Sequence, residues 1–583
     1  MKGMTMSAEI SAPPQGGSEA VTEAPRRVRR ILNLRLSRTG LVVAGFFFAV
    51  SLLPSLLPRA PYVQGIASGI TLMIGYGLGA GGQAIWDYLE IPKLKGRTRT
   101  VVLGIVVVLI AWMTVQAVWK QVGWQNSIRE LFGMEPTSPT TWPVILLTTV
   151  AVAALILIVS RSLRVLFAKV AGWLGRHMPR RLAWVLGVTG LLLLFWVLIT
   201  GVLVQGFFAA ANAAFSVRDT DTPPTVSQPV EPERSGSAAS LAAWDTLGRQ
   251  GRIFTGWGPR AEQINTFSGG GAKVPIRAYV GLKSAETLQE RADLLLEELK
   301  RSGAFDREVL VVATTTGTGF LDPRGVDPVE YMFNGDTAIA GVQYSYLPSW
   351  ISLLADQQAV RETSRTVFDT VHRYWATLPQ ESRPKFYLYG LSLGSYGVGS
   401  VLNSISIINE PVDGALMSGP PFVNELHKEI IENRDAGTPP WQPTYDEGRT
   451  VRFTAQENGF AKTPGPWGPT RLVYLQHNSD PVVFFSPELA LESPDWLEPG
   501  QRGPDISPEM GWFPIVTMWQ VALDLPGAGN VPWGFGHLYS YRSNLESWVE
   551  ITEPEGWTSV KTDQLVTILD AQPDYNAAAD SSS

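Results

Sequence analysis

Long runs of apolar residues fill the first third of the chain, whereas the rest alternates short apolar runs with charged and polar residues. Five apolar runs lie near 40–57, 63–86, 101–118, 142–159 and 182–208. Each is close to the roughly 20 residues that an α-helix needs to cross the hydrocarbon core of a bilayer. The third run has no polar face, unlike a typical core helix of a soluble domain. The pattern predicts a multi-pass α-helical membrane domain of about five helices over residues 39–208.

The first run is open to two interpretations because it contains Pro54 and Pro58. It is either a kinked membrane span or the core of a signal peptide. A long Arg-rich stretch precedes it and no A-x-A cleavage site follows, so a retained span is favoured.

The number of lysine and arginine residues alternates between high and low from one predicted loop to the next. They are dense before the first run, between the second and third, and between the fourth and fifth, and sparse in the other two loops, one of which holds Arg59 alone. Because cytoplasmic loops are enriched in these residues, we expect residues 1–38 to be a disordered basic cytoplasmic tail. Five spans then place everything after residue 208 outside the cytoplasm, at the plasma membrane.

A stretch rich in proline and serine, 209–240, is expected to be a linker to an extracytoplasmic domain at 241–583. This domain shows strand-like runs alternating with amphipathic helical patterns such as 286–301 and 360–376. The continuous apolar run 309–313 is typical of a buried parallel strand. Residues 422–469 are rich in Pro, Trp, Gly and charge, which is typical of an inserted cap. The expected strands are 274–280, 309–313, 341–346, 386–389, 414–417 and 472–475.

One motif in this domain carries chemistry. Gly390-Leu-Ser392-Leu-Gly394 follows a short β-prone run and opens a helical pattern. In a G-x-S-x-G elbow the serine occupies a strained turn between strand and helix, and the glycines avoid collisions with neighbouring backbone. We therefore interpret Ser392 as a nucleophile, with a glycine-rich structural turn as the alternative.

A serine nucleophile needs a base and an acid. Asp480 follows the strand 472–475, where a carboxylate can orient a histidine and stabilise its cation, although Asp before Pro is also a common turn. Of the five histidines, only His537 follows Asp480. It lies in a loop flanked by glycine, preceded by a Pro- and Gly-rich stretch that predicts no strand. His477 is the competing base. His372 is expected to be a packing or surface residue, and His427 is expected to lie on the exposed face of a short helix.

The strand 309–313 ends in a glycine-containing turn. Gly317 and Thr318 in this turn, together with the backbone N–H of Leu393, are candidate donors to a developing oxyanion. An ordinary turn after a strand is the alternative for Gly317 and Thr318.

Charge and composition exclude several functions. Residues 1–208 hold 20 Lys and Arg against 7 Asp and Glu, and residues 209–583 hold 27 against 46, which gives the second part a net charge of −19. That acidity argues against nucleic acid as a partner. The chain has no cysteine, so disulfides, Cys-ligated zinc and thiol catalysis are excluded. The runs are almost free of ionisable residues, which disfavours a transporter, and no cofactor or metal is expected.

The order Ser392, Asp480, His537, with the elbow and the strand and loop at 309–319, resembles the α/β-hydrolase superfamily over about 280–570. The apolar head followed by such a domain is similar to a family of bacterial polytopic membrane α/β-hydrolases that has no assigned substrate. The resemblance implies a doubly wound, mostly parallel sheet, and the triad at these three positions.

The sequence thus predicts a membrane-anchored serine hydrolase that cleaves ester (acyl) bonds of membrane or cell-envelope lipids through an acyl-enzyme. An acyltransferase with the same triad, or a non-catalytic receptor or assembly protein that retains the fold, are the alternatives. The residues indicate neither protein partners nor an oligomeric state.

Overall fold

The computed structural model of the chain describes residues 36–93, 96–177, 179–197, 201, 204–404, 407, 409–463 and 465–573. Nearly all of the predicted tail, 1–38, lies outside the described residues, as do 198–200 and 202–203 in the fifth apolar run. The N-terminal helices are α1 (Arg38–Ser51), α2 (Pro61–Tyr88), α3 (Gly96–Leu131), α4 (Trp142–Leu174), α5 (Arg180–Val197) and α6 (Gln205–Arg218).

Three helices in the described part are long and apolar enough to cross a membrane: α2, α3, and α4 taken with the turn before it from Pro139. The first apolar run differs from expectation. Its helix, α1, has only 14 residues, or about 21 Å at 1.5 Å per residue, less than the ~30 Å hydrocarbon core. It ends at Ser51 because Pro54 and Pro58 cannot continue a helix, and 52–60 form a loop. The count of five spans stays a prediction.

The C-terminal part is built on a seven-stranded sheet in which every neighbouring pair is parallel. The strand order is β1-β3-β2-β4-β5-β7-β6, which confirms the expected mostly parallel sheet. The strands are β1 (Ile276–Val280), β2 (Val309–Thr314), β3 (Thr337–Val342), β4 (Lys385–Leu391), β5 (Gly414–Ser418), β6 (Val451–Thr454) and β7 (Arg471–Leu475).

Helices cover both faces of this sheet, as in a doubly wound fold. One apolar cluster joins one face to helices α9, α12 and α13, and a second joins the opposite face to α10, α17 and α18. In β5, Ala415 and Met417 belong to the first cluster and Leu416 to the second. The helices of this part are α7 (Gly248–Gly256), α8 (Ala261–Ser268), α9 (Leu288–Ser302), α10 (Pro323–Met332), α11 (Ser349–Ala355), α12 (Gln357–Trp375), α13 (Leu393–Leu402), α14 (Glu425–Glu432), α15 (Pro481–Phe484), α16 (Val516–Asp524), α17 (Tyr541–Thr552) and α18 (Ser559–Asp570).

Of the stretch expected to be a linker, 209–240, residues 209–218 belong to α6, and the part from Asp219 onward is packed against the sheet domain. Asp219 accepts hydrogen bonds from Gln343 Nε2 at 3.1 Å and from the backbone N–H of Arg249 at 3.0 Å. Arg234 is fully buried and donates to the carbonyls of Thr255 and Pro259. Buried polar groups with partners fix a segment in place, so this part of the chain is a component of the domain and not a tether.

The segment expected to be a cap, 422–469, also contributes an edge strand. β6 lies in this segment and pairs with β7. A strand of four residues that includes the charged Arg452 is too short to show an alternating pattern in the sequence. The strand expected at 341–346 begins earlier, at Thr337.

Candidate active site

Ser392 occupies the turn between β4 and α13, at the carboxyl edge of the sheet. Its φ and ψ are +56° and −122°, a conformation that costs a non-glycine residue about 1–3 kcal/mol and persists only when its surroundings impose it. Its backbone N–H donates to the carbonyl of Ser418, at the end of β5, at 2.8 Å. The residue is 8% exposed.

The two glycines of the motif allow the close approach that this turn requires. A Cβ on Gly390 would lie 2.2 Å from the carbonyl carbon of Gly394, and a Cβ on Gly394 would lie 2.3 Å from the carbonyl oxygen of Thr314. Both distances are far below van der Waals contact. The elbow is therefore pressed between its own strand and the end of β2.

Asp480 and His537 form a hydrogen-bonded pair. Asp480 lies in the loop after β7, and its Oδ2 is 2.6 Å from His537 Nδ1. The same oxygen accepts the Tyr539 hydroxyl at 2.7 Å, while Oδ1 accepts the backbone N–H of Val482 at 2.8 Å. Asp480 is fully buried, so these bonds hold both carboxylate oxygens in fixed directions.

The imidazole of His537 lies against the residue after Ser418. A Cβ on Gly419 would be 2.6 Å from His537 Cε1 and 3.0 Å from Nδ1, and the carbonyl of Ser418 is the one that binds the Ser392 N–H. The structure thus brings Ser392, Asp480 and His537 to one edge of the sheet. His537 Nε2 is buried and has no hydrogen-bond partner among the described residues.

The turn with the expected second oxyanion donor lies at the same edge. Its shape is held by Tyr279, which donates to the carbonyl of Gly319, and by Gln343, which donates to that of Thr318. The residues at the end of β2 that lie closest to Gly394 of the elbow are Thr314 and Thr315. Gly317 is pressed against residues 347–349 instead, with a Cβ position 2.4 Å from the Ser349 nitrogen.

Two family models match this chain. One, described as an alpha/beta-hydrolase family, covers residues 276–565, and the other, described as the N-terminus of an alpha/beta-hydrolase family, covers residues 52–259. The chain belongs to the α/β-hydrolase superfamily. No curated protein and no solved structure matches it. The superfamily is generally hydrolytic, and the matched ranges cover both the helical region and the sheet domain of this α/β-hydrolase.

Electrostatics favour a charged Asp480 in this member of the α/β-hydrolase superfamily. Burial alone would raise the pKa of its carboxyl, but the neighbouring His537 and the hydrogen bonds from His537, Tyr539 and Val482 lower that pKa below its ordinary value. A carboxylate that accepts several hydrogen bonds stays ionised at neutral pH. It therefore orients the His537 ring and favours a proton on Nδ1, which leaves Nε2 as the acceptor.

Three other histidines, His372, His427 and His477, serve packing. The expectation that His427 is exposed is wrong: it is buried and its Nε2 is 2.6 Å from Gln476 Oε1, because α14 turns this face toward β7. Burial lowers its pKa to about 4. His372 is buried, with Nε2 2.8 Å from the carbonyl of Glu410. His477, the competing base, is fully buried, with Nδ1 2.9 Å from the carbonyl of Gly536 and its ring stacked on Tyr539.

Sequence reasoning missed Tyr539 and Gly419. Tyr539 stands two residues after His537, a spacing that signals nothing without the fold. Gly419 follows a strand and precedes two prolines, which suggests a turn but not contact with a residue far along the chain. No cluster of three or more His, Asp or Glu side chains that could hold a metal occurs in the part of the chain that is described.

Proposed function

We propose that this chain is a serine hydrolase that cleaves acyl esters, with Ser392 as nucleophile, His537 as general base and acid, and Asp480 as the carboxylate that orients His537. The observation that carries the proposal is the coincidence of a strained serine elbow with the hydrogen-bonded pair of buried Asp480 and partly buried His537 at the same edge of the sheet. The superfamily membership supports it.

The chemistry follows from these atoms. Ser392 Oγ attacks the acyl carbon while His537 Nε2 takes the hydroxyl proton, and the imidazolium formed is stabilised by Asp480. The Leu393 N–H, at the first position of α13, has no partner within the helix and is the proposed donor to the oxyanion. Gly317 and Thr318 remain the predicted source of a second donor. His537 then protonates the leaving alcohol, and water resolves the acyl-enzyme by the same steps in reverse.

We further propose that the substrate is a lipid of the membrane or envelope. The helical region meets the sheet domain through the loop 52–60, where Arg59 pairs with Asp524, and through the end of α3, where Phe132 stacks on Phe535. The loops involved are the ones poor in Lys and Arg, as expected for an extracytoplasmic domain on the outer face of the plasma membrane. This arrangement puts the edge that carries Ser392 on the side where the apolar helices end.

An exposed apolar helix beside the elbow supports the same substrate class. α11 follows β3 at the carboxyl edge, and its Trp350 and Leu354 are 55% and 72% exposed. Its inward residue Leu353 belongs to the buried cluster that contains Leu393. Large exposed apolar side chains at the rim of a site favour contact with lipid. Six tryptophans of the sheet domain, at 441, 467, 496, 512, 519 and 533, are sequence candidates for an acyl site, with plain core packing as the alternative. Trp496 lines a cavity of 460 Å³ beside α15.

The test is hydrolysis of p-nitrophenyl esters of increasing chain length by the full chain reconstituted in lipid, together with labelling by a fluorophosphonate. We expect activity, a preference for longer acyl chains, and loss of both activity and labelling in Ser392→Ala by a factor of at least about 10⁴. Ser395→Ala is the matched control, since Ser395 lies one turn along in the same helix with a buried Oγ that has no partner in the structure described.

Three outcomes decide between the proposals. A folded wild type that neither turns over esters nor labels would refute the enzyme and leave a receptor or assembly role. Preference for short, soluble esters would refute the lipid substrate alone. Transfer of the acyl group to an added alcohol in place of water would reassign the enzyme as an acyltransferase.

A further inference from the structure

The helical region and the sheet domain share a buried apolar cluster. The helical region contributes Leu56, Leu57, Ile128 and Phe132 to it, and the sheet domain contributes residues between Val483 and Val531. A chain that needed only a membrane anchor would require no such contact, because a covalent tether is sufficient. The extent of the junction indicates that the orientation of the two parts is specified.

A buried ion pair fixes this orientation. Arg59 Nε donates to Asp524 Oδ1 at 2.7 Å, and the two side chains are 2% and 0% exposed. Arg59 also donates through Nη2 to the carbonyl of Gln520 at 2.8 Å, and Ser55 Oγ donates to Asp524 Oδ2. Removal of one partner from a buried pair is strongly destabilising, since it leaves an uncompensated charge. The loop 52–60 is thereby locked onto the end of α16.

The chain that follows α16 leads to His537. The backbone N–H of His537 donates to the carbonyl of Ala528 at 2.9 Å, four residues after Asp524. The two residues before His537 touch the helical region directly. Phe535 stacks on Phe132 with ring centroids 4.4 Å apart, and a Cβ on Gly536 would lie 3.4 Å from Leu57 Cδ2.

The opposite side of this segment is held by the loop that carries Asp480. His477 Nδ1 donates to the Gly536 carbonyl at 2.9 Å, and the Gly536 N–H donates to Ser479 Oγ at 3.0 Å. The peptide next to the base is therefore clamped between the Asp480 loop on one side and Leu57 and Phe132 on the other. The side opposite the Asp480 loop is shared between Ala528 and Val531 of the sheet domain and Leu57 and Phe132 of the helical region.

We infer that the helical region positions the base: Phe132 and Leu57 are positioning residues that hold the segment 535–537, so that His537 Nε2 lies in register with Ser392. This inference rests on the proposed function, because it assigns His537 as the base. Since a misplacement of 1 Å can reduce catalysis about 10²-fold, the N-terminal part of the chain is a component of the catalytic unit in addition to a membrane anchor.

The test compares two phenylalanines of the same junction in the full chain reconstituted in lipid. Phe132 stacks on Phe535, whereas Phe46 contacts Phe513 with centroids 6.2 Å apart, away from the segment 535–537. We expect Phe132→Ala to lower kcat about 10- to 100-fold, with a change in KM of less than about threefold, and Phe46→Ala to leave kcat unchanged. Phe132→Leu, which keeps an apolar side chain, should recover most of kcat.

Leu57→Ala is the second variant, since it removes a side chain of the junction that lies beside Gly536 and keeps the stack of Phe132 on Phe535; we expect kcat to fall by about threefold or more. Melting temperatures in the same lipid ensure that kcat is compared between folded proteins. The inference is overturned if Leu57→Ala has the same kcat as Phe46→Ala, and Phe132→Ala does too where that variant folds. It is also overturned if kcat falls only in proportion to the fraction of protein that is unfolded. A wild type without turnover is a different result, which overturns the proposed function and this inference with it.

Discussion

Gly419→Ala is a direct test of the site geometry, because it removes none of the proposed catalytic side chains. A Cβ at this position would lie 2.6 Å from His537 Cε1 and 2.8 Å from Tyr539 Cε2. Carbon atoms in contact lie about 3.5–4.0 Å apart, so the imidazole must move by about 1 Å. The bond between His537 Nδ1 and Asp480, 2.6 Å long, then approaches the limit of a hydrogen bond.

The expected magnitude has two parts. Gly419 has φ +55°, and an alanine in this left-handed region costs about 1–2 kcal/mol of folding free energy. Displacement of the base by about 1 Å lowers kcat/KM about 10²-fold. The loss of activity should therefore be far larger than the loss of stability.

The assay is ester hydrolysis with a melting curve for each variant. Gly303→Ala is the matched control, since Gly303 has φ +74° but its nearest neighbour to a Cβ is 3.8 Å away. It should lose similar stability and keep its activity. If folded Gly419→Ala has kcat/KM within threefold of Gly303→Ala, the placement of His537 against Gly419 is wrong.

The remaining predictions concern the acid of the site and acid stability. Asp480→Asn should lower kcat about 10⁴-fold through the wrong tautomer of His537, whereas Tyr539→Phe, which removes one of several bonds to that carboxylate, should cost about 3- to 30-fold; equal losses would contradict the hydrogen-bond assignment. His427 has a folded pKa of about 4 against about 6.5 in the unfolded chain, so its contribution is complete above pH 6.5 and is lost as the pH falls toward 4. The free energy of unfolding should fall by up to about 3 kcal/mol over this range, which lowers the melting temperature. His427→Gln should remove that pH dependence.

The sheet was predictable because its strands are local apolar runs. Val309 to Ala313 and Leu472 to Leu475 read as strands without any tertiary information, and the structure places them within one or two residues of the expected bounds. β6 was not predictable, since Arg452 interrupts its apolar pattern and its pairing with β7 is a long-range property. The local pattern of apolar residues predicts strands that are buried along their length, and it fails for short strands at the edge of a sheet.

The candidate site was predictable where a motif forces the geometry. The elbow around Ser392 requires glycines at fixed spacing, because the backbones approach too closely for a Cβ. The contact between Arg59 and Asp524 has no such signature. A single arginine between two prolines in an otherwise uncharged loop is the one signal that the sequence offers for a buried partner, and it does not say where the partner lies.

The segment before His537 explains why the two halves meet where they do. Ser392 and Asp480 follow strands, so the sheet itself fixes their positions. His537 follows no strand: residues 525–540 form one turn of 3-10 helix, Leu525–Gly527, and further irregular turns before α17 begins. A loop of this kind gains its order from packing and not from a hydrogen-bonded ladder. Contacts with Phe132 and Leu57 on one side and with His477 and Ser479 on the other supply that order, so a Pro- and Gly-rich segment can hold a histidine in one place.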